Sequence, residues 1–246
     1  MYHVPTQPHF ASWRWGNYAG YGYCITIVLA WGVIAGFLPP PQQYLNTEEV
    51  HQYYIDNSFR IRLGMLLTLL VTPLYYVWGA AVSRAMQYVE GPKGTLSMIQ
   101  LMGAFGTVVV TWGSCVAWEA SAYLPELKTA QDIKTLSDHA WMWFDTTVMV
   151  SVTQFVAFGL VCLIDKNQQP LFPRWLGWFS LAMGLSLLLA CLIPFFETGP
   201  FSWHGFLCYY LGLFDFFIWI VLVTYYVGKA INRIDHEKIS QPGHSA

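Results

Sequence analysis

The chain has 246 residues, 55% of them hydrophobic, 17% aromatic and only 11% charged, with a formal net charge of -2. Soluble domains carry about 25% charged residues, so lipid is the expected main solvent. The near-neutral balance and the lack of any Lys/Arg tract exclude a nucleic-acid partner held by charge.

Uncharged runs of about 20 residues, long enough to cross hydrocarbon as helices, fall at 18–38, 61–83, 97–122, 140–163, 175–196 and 206–228. The expected fold is all-α: a single transmembrane domain over 1–246, an integral membrane bundle of six helices. The first run follows Arg14 and has no small-residue cleavage site after it, so it is expected to stay in the membrane. Pro39-Pro40-Pro41 stops it. In the outer loop that follows, Asn46 is a good N-cap with Glu49 at N3, which predicts a short amphipathic helix at the membrane surface. That helix reads either as an interfacial rest for its tyrosines or as a lid over a cavity. Pro73 predicts a kink in the second span and a freed carbonyl. Gly91-Pro92 separates spans two and three, Pro125 ends the third, and Pro173 and Pro194 mark the fifth.

In a six-span chain Arg14, Arg84, Lys93, Lys166, Arg174, Lys229, Arg233 and Lys238 fall on one side, against Arg60, Arg62, Lys128 and Lys134 on the other. The richer side is expected to be cytoplasmic, with both termini.

Three acids lie inside predicted spans: Glu119, Asp145 and Asp215. An ionisable group at that depth costs about 2.5–3.5 kcal/mol on insertion scales, so it faces the bundle interior or water and marks a candidate site. Glu119 is one turn from the outer end of its span. At about 1.5 Å per residue, Asp145 is roughly 8–10 Å deep and Asp215 about 15 Å. Asp145 closes the stretch SDHAWMWFD, in which Asp138 and Asp145, seven apart, share a helix face with Trp141 and Met142. About 10 Å separates the two carboxylates along the helix, too far to share a proton. Ser137 and Asp138 read as caps of span four, His139 as a rim residue, and Trp141 and Trp143 as interface anchors. Thr198-Gly199-Pro200 is a tight-turn signal that carries Glu197, Trp203 and His204 toward the same rim.

Motifs for other chemistries are missing. No span holds two His for a haem, and neither HExxH nor HxxxH occurs. One Glu48-to-His51 ExxH stands without a second copy. There is no GxSxG, P-loop or dinucleotide fingerprint. The five Cys, at 24, 115, 162, 191 and 208, lack CxxC spacing and read as small apolar residues. No metal and no cofactor is expected.

Four segments carry a resemblance: PPPQQYLNTEEVHQYYIDNSFRIRLG (39–64), LSDHAWMWFD (136–145), FPRWLGWFSLAMG (172–184) and FFETGPFSWHGFLCYYLGLFDFFIWIVLVTYYVGKAI (195–231). With their PRWLG step, TGPF-W-G hairpin and D-x-x-W before a span, they resemble an uncharacterised family of bacterial polytopic membrane proteins. The resemblance implies a helical protein of the bacterial inner membrane and carries over no catalytic residue.

The leading expectation is an outward-opening aromatic and acidic pocket that binds or helps to pass an apolar or amphipathic molecule. Its ligand-binding candidates are Asp138, His139, Trp141, Asp145, Glu197, Trp203, His204 and Asp215. One alternative is a membrane enzyme acting on a lipid or isoprenoid-like substrate, with Asp145, Asp215 and Glu119 as catalytic candidates. Another is a subunit of a larger membrane complex. The expected partners are the lipid bilayer, an apolar small molecule and a membrane protein.

Overall fold

The computed structural model describes residues 10–240, with side chains to 237; the side chain of Lys238 lies outside the described residues. In chain order, α1 (Phe10–Ile27) widens into a π-type turn, Val28–Ile34. Then come α2 (Thr47–Val71), α3 (Pro73–Glu90), α4 (Thr95–Ala122), a 3-10 turn at Pro125–Leu127, α5 (Ala130–Thr146) and α6 (Met149–Ile164). The seventh helix, α7 (Arg174–Leu187), tightens into a 3-10 run, Leu188–Phe195, and a π-type turn at Phe206–Tyr210 leads into α8 (Leu211–Ser240). Among the described residues these make six stretches long and apolar enough to cross a membrane: Phe10–Ile34, Thr47–Glu90, Thr95–Ala122, Ala130–Ile164, Arg174–Phe195 and Phe206–Glu237. The protein is thus an all-α, multi-pass membrane protein whose spans bring it into contact with a lipid bilayer.

The helices run past the apolar limits wherever a polar cap permits. Asn46 accepts from the Glu49 N–H at 3.0 Å, and the Glu49 carboxylate accepts from the Asn46 N–H at 2.8 Å, the reciprocal box its sequence predicts. The helix so opened is not a separate surface helix, however. From His51 to Leu63 there is neither Gly nor Pro to stop it, and it continues unbroken to Val71. At Pro73, which has no N–H to donate back to Leu69, the chain breaks into α2 and α3.

Span four also starts early. Thr129 accepts from the Asp132 N–H at 3.1 Å and caps α5 at Ala130, ten residues before the apolar run. Ser137 and Asp138 therefore sit inside the helix. Asp138 is not a cap but an i,i+4 partner of Lys134 at 2.8 Å.

The packing centre is α4, which touches α2, α3, α5 and α6. Its buried side carries Ser97, Gln100, Ala104, Thr107, Thr111, Ser114, Trp118 and Ser121, spaced three and four residues apart without interruption. Its exposed side carries Met98, Met102, Phe105, Val109 and Val116. The apolar face looks outward to lipid, and small or polar residues look inward, where they let neighbours approach closely. The hydroxyls of Thr107, Thr111, Ser114 and Ser121 donate to the carbonyl four residues back, whereas the Gln100 amide and the Trp118 indole are buried without a partner.

The loops sort into two ends. Gln43 bonds His204, and His51 meets the Pro125 carbonyl, so loops 35–46, 123–129 and 196–205 share one end, called here the hairpin end. At the opposite end Arg14 pairs with Asp235 at 2.6 Å, and Arg233 donates to the carbonyl of Gln169. There Glu90 accepts from the N–H groups of Leu96 and Ser97, and Asp165 from those of Asn167 and Leu171, each acid closing a short helix connection.

A close helix crossing joins α6 to α7, glycine against glycine. A Cβ placed on Gly159 would stand 2.9 Å from the Gly177 carbonyl oxygen, and one on Gly177 the same distance from Gly159 O and Cys162 Cβ. Backbone cannot yield there as a side chain would. Gly177→Ala is expected to lower stability by roughly 1–3 kcal/mol, read as a lower thermal unfolding midpoint in detergent. An unchanged midpoint would mean that the helices separate easily.

Candidate functional site

The residues of α5 that face inward are Ile133, Ser137, Ala140, Trp141 and Asp145, a 3.6-residue stripe. Trp141 is fully buried, not an interface anchor. Its ring lies 4.9 Å from Trp118, 5.1 Å from Phe37 and 5.9 Å from Trp203, which is stacked on it. Trp31 adds contacts to Trp118, Trp141, Phe144 and Tyr209. These rings from four helical stretches and two loops form one aromatic block beneath the hairpin end.

Below that block is a cleft enclosing about 100 Å³. Tyr23, Ile27 and Trp31 of the first span, Thr107, Val110 and Thr111 of α4, Leu187, Ala190, Gly212, Leu213, Phe216 and Phe217 complete most of its wall, with Asp145 and Phe144 between them. No Lys, Arg or His lines it.

The cleft exists where span four is interrupted. After Asp145 come Thr146 and Thr147, whose hydroxyls donate at 2.6 Å to the carbonyls of Met142 and Trp143. Hydroxyls bonded back in this way bend helices, and a turn at Thr147-Val148 divides α5 from α6. Thr147, Val148, Val110, Leu213 and Phe217 are half-buried, next to the exposed Val109, Met149 and Phe214.

A polar seam runs into one wall. The Tyr75 hydroxyl approaches Gln154 Oε1 at 3.4 Å, and Gln154 Nε2 donates to Thr107 Oγ1 at 2.9 Å. The Thr107 and Ser151 hydroxyls lie 2.9 Å apart. Every link has a partner. Asp145 does not: it is 7% exposed, and its Oδ2 has no hydrogen-bond partner. The indole N–H groups of Trp31, Trp118 and Trp141 are likewise buried and unpartnered. A buried polar group left so costs about 1–3 kcal/mol.

The other sequence candidates are dispersed. Asp215 is buried on α8, but its carboxylate accepts from the Ser186 hydroxyl and is not part of the cleft wall. Glu119 is half-buried near Arg62 and Tyr123, in a separate shallow hollow. His139 is exposed against Trp143, and Glu197 is exposed on the hairpin. The predicted rim of Asp138, His139, Glu197 and His204 therefore does not line the cleft. Among the described residues no group of three or more His, Cys, Asp or Glu is placed to hold a metal ion.

Trp203 and His204 act in a latch. The Trp203 indole donates to the Pro41 carbonyl at 2.9 Å, and the Trp203 N–H donates to Gln43 Oε1 at 3.0 Å. The Gln43 N–H in turn donates to His204 Nδ1 at 3.1 Å. Beside it the Tyr209 hydroxyl donates to the Phe37 carbonyl. The strap 37–43 is thereby held over the aromatic block. Gly199 makes the turn at φ +85, a conformation only Gly adopts without strain.

Sequence reading missed Trp31, Phe37, Trp118, Tyr209 and the seam. The uninterrupted three-four spacing of small and polar residues from Ser97 to Ser121 was the signal available for the seam.

Two outcomes are expected. Asp145→Leu removes the unpartnered carboxylate while keeping its bulk, and is expected to raise stability by roughly 1–3 kcal/mol, seen as a higher unfolding midpoint; a lower one would reveal a hidden partner. For the latch, protonated His204 has no acceptor at Nδ1. Burial already holds its pKa below the ordinary 6.5, so the folded state favours the neutral ring. The latch's contribution is complete above about pH 6.5 and is lost as pH falls through the lowered folded pKa. Hydrogen exchange at the Gln43 amide, corrected for intrinsic rate, should lose protection between pH 7.5 and 5, and a pH-independent protection would contradict this.

Comparison with protein-family models, with curated proteins and with solved structures finds no match, and no family is identified.

Proposed function

We propose that the protein is a bacterial inner-membrane protein, with both termini cytoplasmic, that binds or helps to pass an apolar or amphipathic molecule through the cleft beside Asp145. The observation that carries this is a nine-tenths-buried carboxylate with an unpartnered oxygen in the wall of a largely apolar cleft. An unsatisfied acid at membrane depth persists against its cost where function uses it. The bacterial placement is supported by the resemblance of the PRWLG and TGPF-W-G segments. The orientation is supported by the described basic side chains, seven toward the opposite end and four toward the hairpin end.

The opening in this reading is sideways into the bilayer, since the half-buried cleft residues adjoin apolar exposed surface at the Thr147-Val148 interruption. The aromatic block and latch close the route from the hairpin end. A ligand that partitions into lipid would enter without crossing water. The lone carboxyl also favours a second reading, in which Asp145 serves as a general acid on such a molecule.

Protein purified in lipid nanodiscs, extracted with solvent and analysed by mass spectrometry, is expected to carry a co-purifying amphipathic molecule. Narrowing the mouth with Leu213→Trp should remove it, with the protein still monodisperse. Equal recovery from both would rule out the cleft as the binding place. Turnover of that molecule by wild type, abolished in Asp145→Asn, would decide for the enzyme reading.

A further inference from the structure

The polar atoms left unpartnered in the cleft wall point to the ligand's head group; the inference rests on the cleft being the binding site. Of the residues that line the cleft, two carry a buried polar atom without a partner: Asp145 with Oδ2, an acceptor, and Trp31 with Nε1, a donor. Both residues are more than nine-tenths buried, at 7% and 4% exposure. The threonine hydroxyls of the wall donate elsewhere, Thr68 to Gly64 O, Thr107 to Gly103 O, Thr111 to Thr107 O and Thr147 to Trp143 O, and the Tyr209 hydroxyl donates to Phe37 O. What remains is one acceptor and one donor in an otherwise apolar and aromatic surround.

We propose that the cleft takes a long-chain or isoprenoid-type alcohol, its hydroxyl donating to Asp145 and accepting from the Trp31 indole. A hydroxyl is the smallest group that supplies both halves, one O–H and two lone pairs. An ether or a hydrocarbon offers nothing to Asp145. An ammonium head balances the carboxylate but has no acceptor for Trp31, and sets its positive charge against the positive end of that N–H. The apolar body then lies along Ile27, Leu187 and Phe216, where the bilayer loses little by releasing it. Discrimination comes from the cost of leaving these buried groups unpaired, which is how sites built around a hydroxyl reject analogues that lack it.

The test uses the full chain in lipid nanodiscs, with empty nanodiscs subtracted, and three tritiated probes of one skeleton: farnesol, farnesyl methyl ether and farnesylamine. Wild type is expected to bind farnesol about tenfold tighter than either analogue, the scale of leaving one buried polar group unpaired. Asp145→Leu should bring farnesol down to the ether's affinity, and Trp31→Phe should weaken farnesol and the ether alike several-fold, since both oxygens accept from that indole, without affecting the amine. Each variant's folding is followed by its elution profile and helical signal. Equal binding of alcohol and ether, or tighter binding of the amine, overturns the proposal while leaving the cleft as a binding site. No saturable binding of any probe, or binding untouched by Leu213→Trp, overturns the cleft reading itself.

Discussion

Lipid gives two helices no hydrophobic reason to associate, because its tails are as apolar as leucine. What holds this bundle is close approach and hydrogen bonding, and α4 provides both along one line from Ser97 to Ser121. Spacing of three and four residues keeps that line straight against neighbours as in a coiled-coil seam, with small and polar groups in place of leucines. Helices α2, α3, α5 and α6 are arranged around it. The seam of Tyr75, Gln154, Thr107 and Ser151 then closes with every group satisfied, as a polar network in a low dielectric must.

Among the acids Asp145 stands apart, buried with an unpartnered oxygen. Elsewhere in the protein acids have plain duties: Glu90 and Asp165 close loops, Asp138 pairs with Lys134, Asp235 with Arg14, and Asp215 accepts from Ser186. Two threonines that bend span four immediately after Asp145 place the carboxylate where the helix wall is open. The bend and the lone acid are one feature of the chain, encoded in three consecutive residues.

Much of the fold was legible, because hydropathy and Pro/Gly punctuation act locally. Six runs, the Asn46–Glu49 box and the break at Pro73 all follow from residues within a turn of one another. Helix ends were less legible: a polar cap such as Thr129 can start a helix ten residues before its apolar run, and that shift turned Asp138 from a cap into a mid-helix ion pair. The site was legible only in its acid. That Asp145 should lie deep could be read from composition and depth. Trp31, Phe37 and Tyr209 join it from 100 residues or more before it and from 64 residues after it, and no local pattern encodes such meetings. Trp141 shows the same limit, since a tryptophan near a span end reads as an interface anchor until its neighbours are known to be Trp118 and Trp203.

The latch has a consequence for biogenesis. Gln43 and His204 are 161 positions apart, and the aromatic block takes Trp31 from the first span, Phe37 from the strap after it, Trp203 from the hairpin and Tyr209 from the start of the sixth span. Spans entering the membrane in order of synthesis leave Trp31 and Phe37 without Tyr209 until the last of them is in place. A chain stalled at five spans would carry Asp145 and the bend under a roof that lacks Tyr209. Completion of the cleft therefore coincides with completion of the protein.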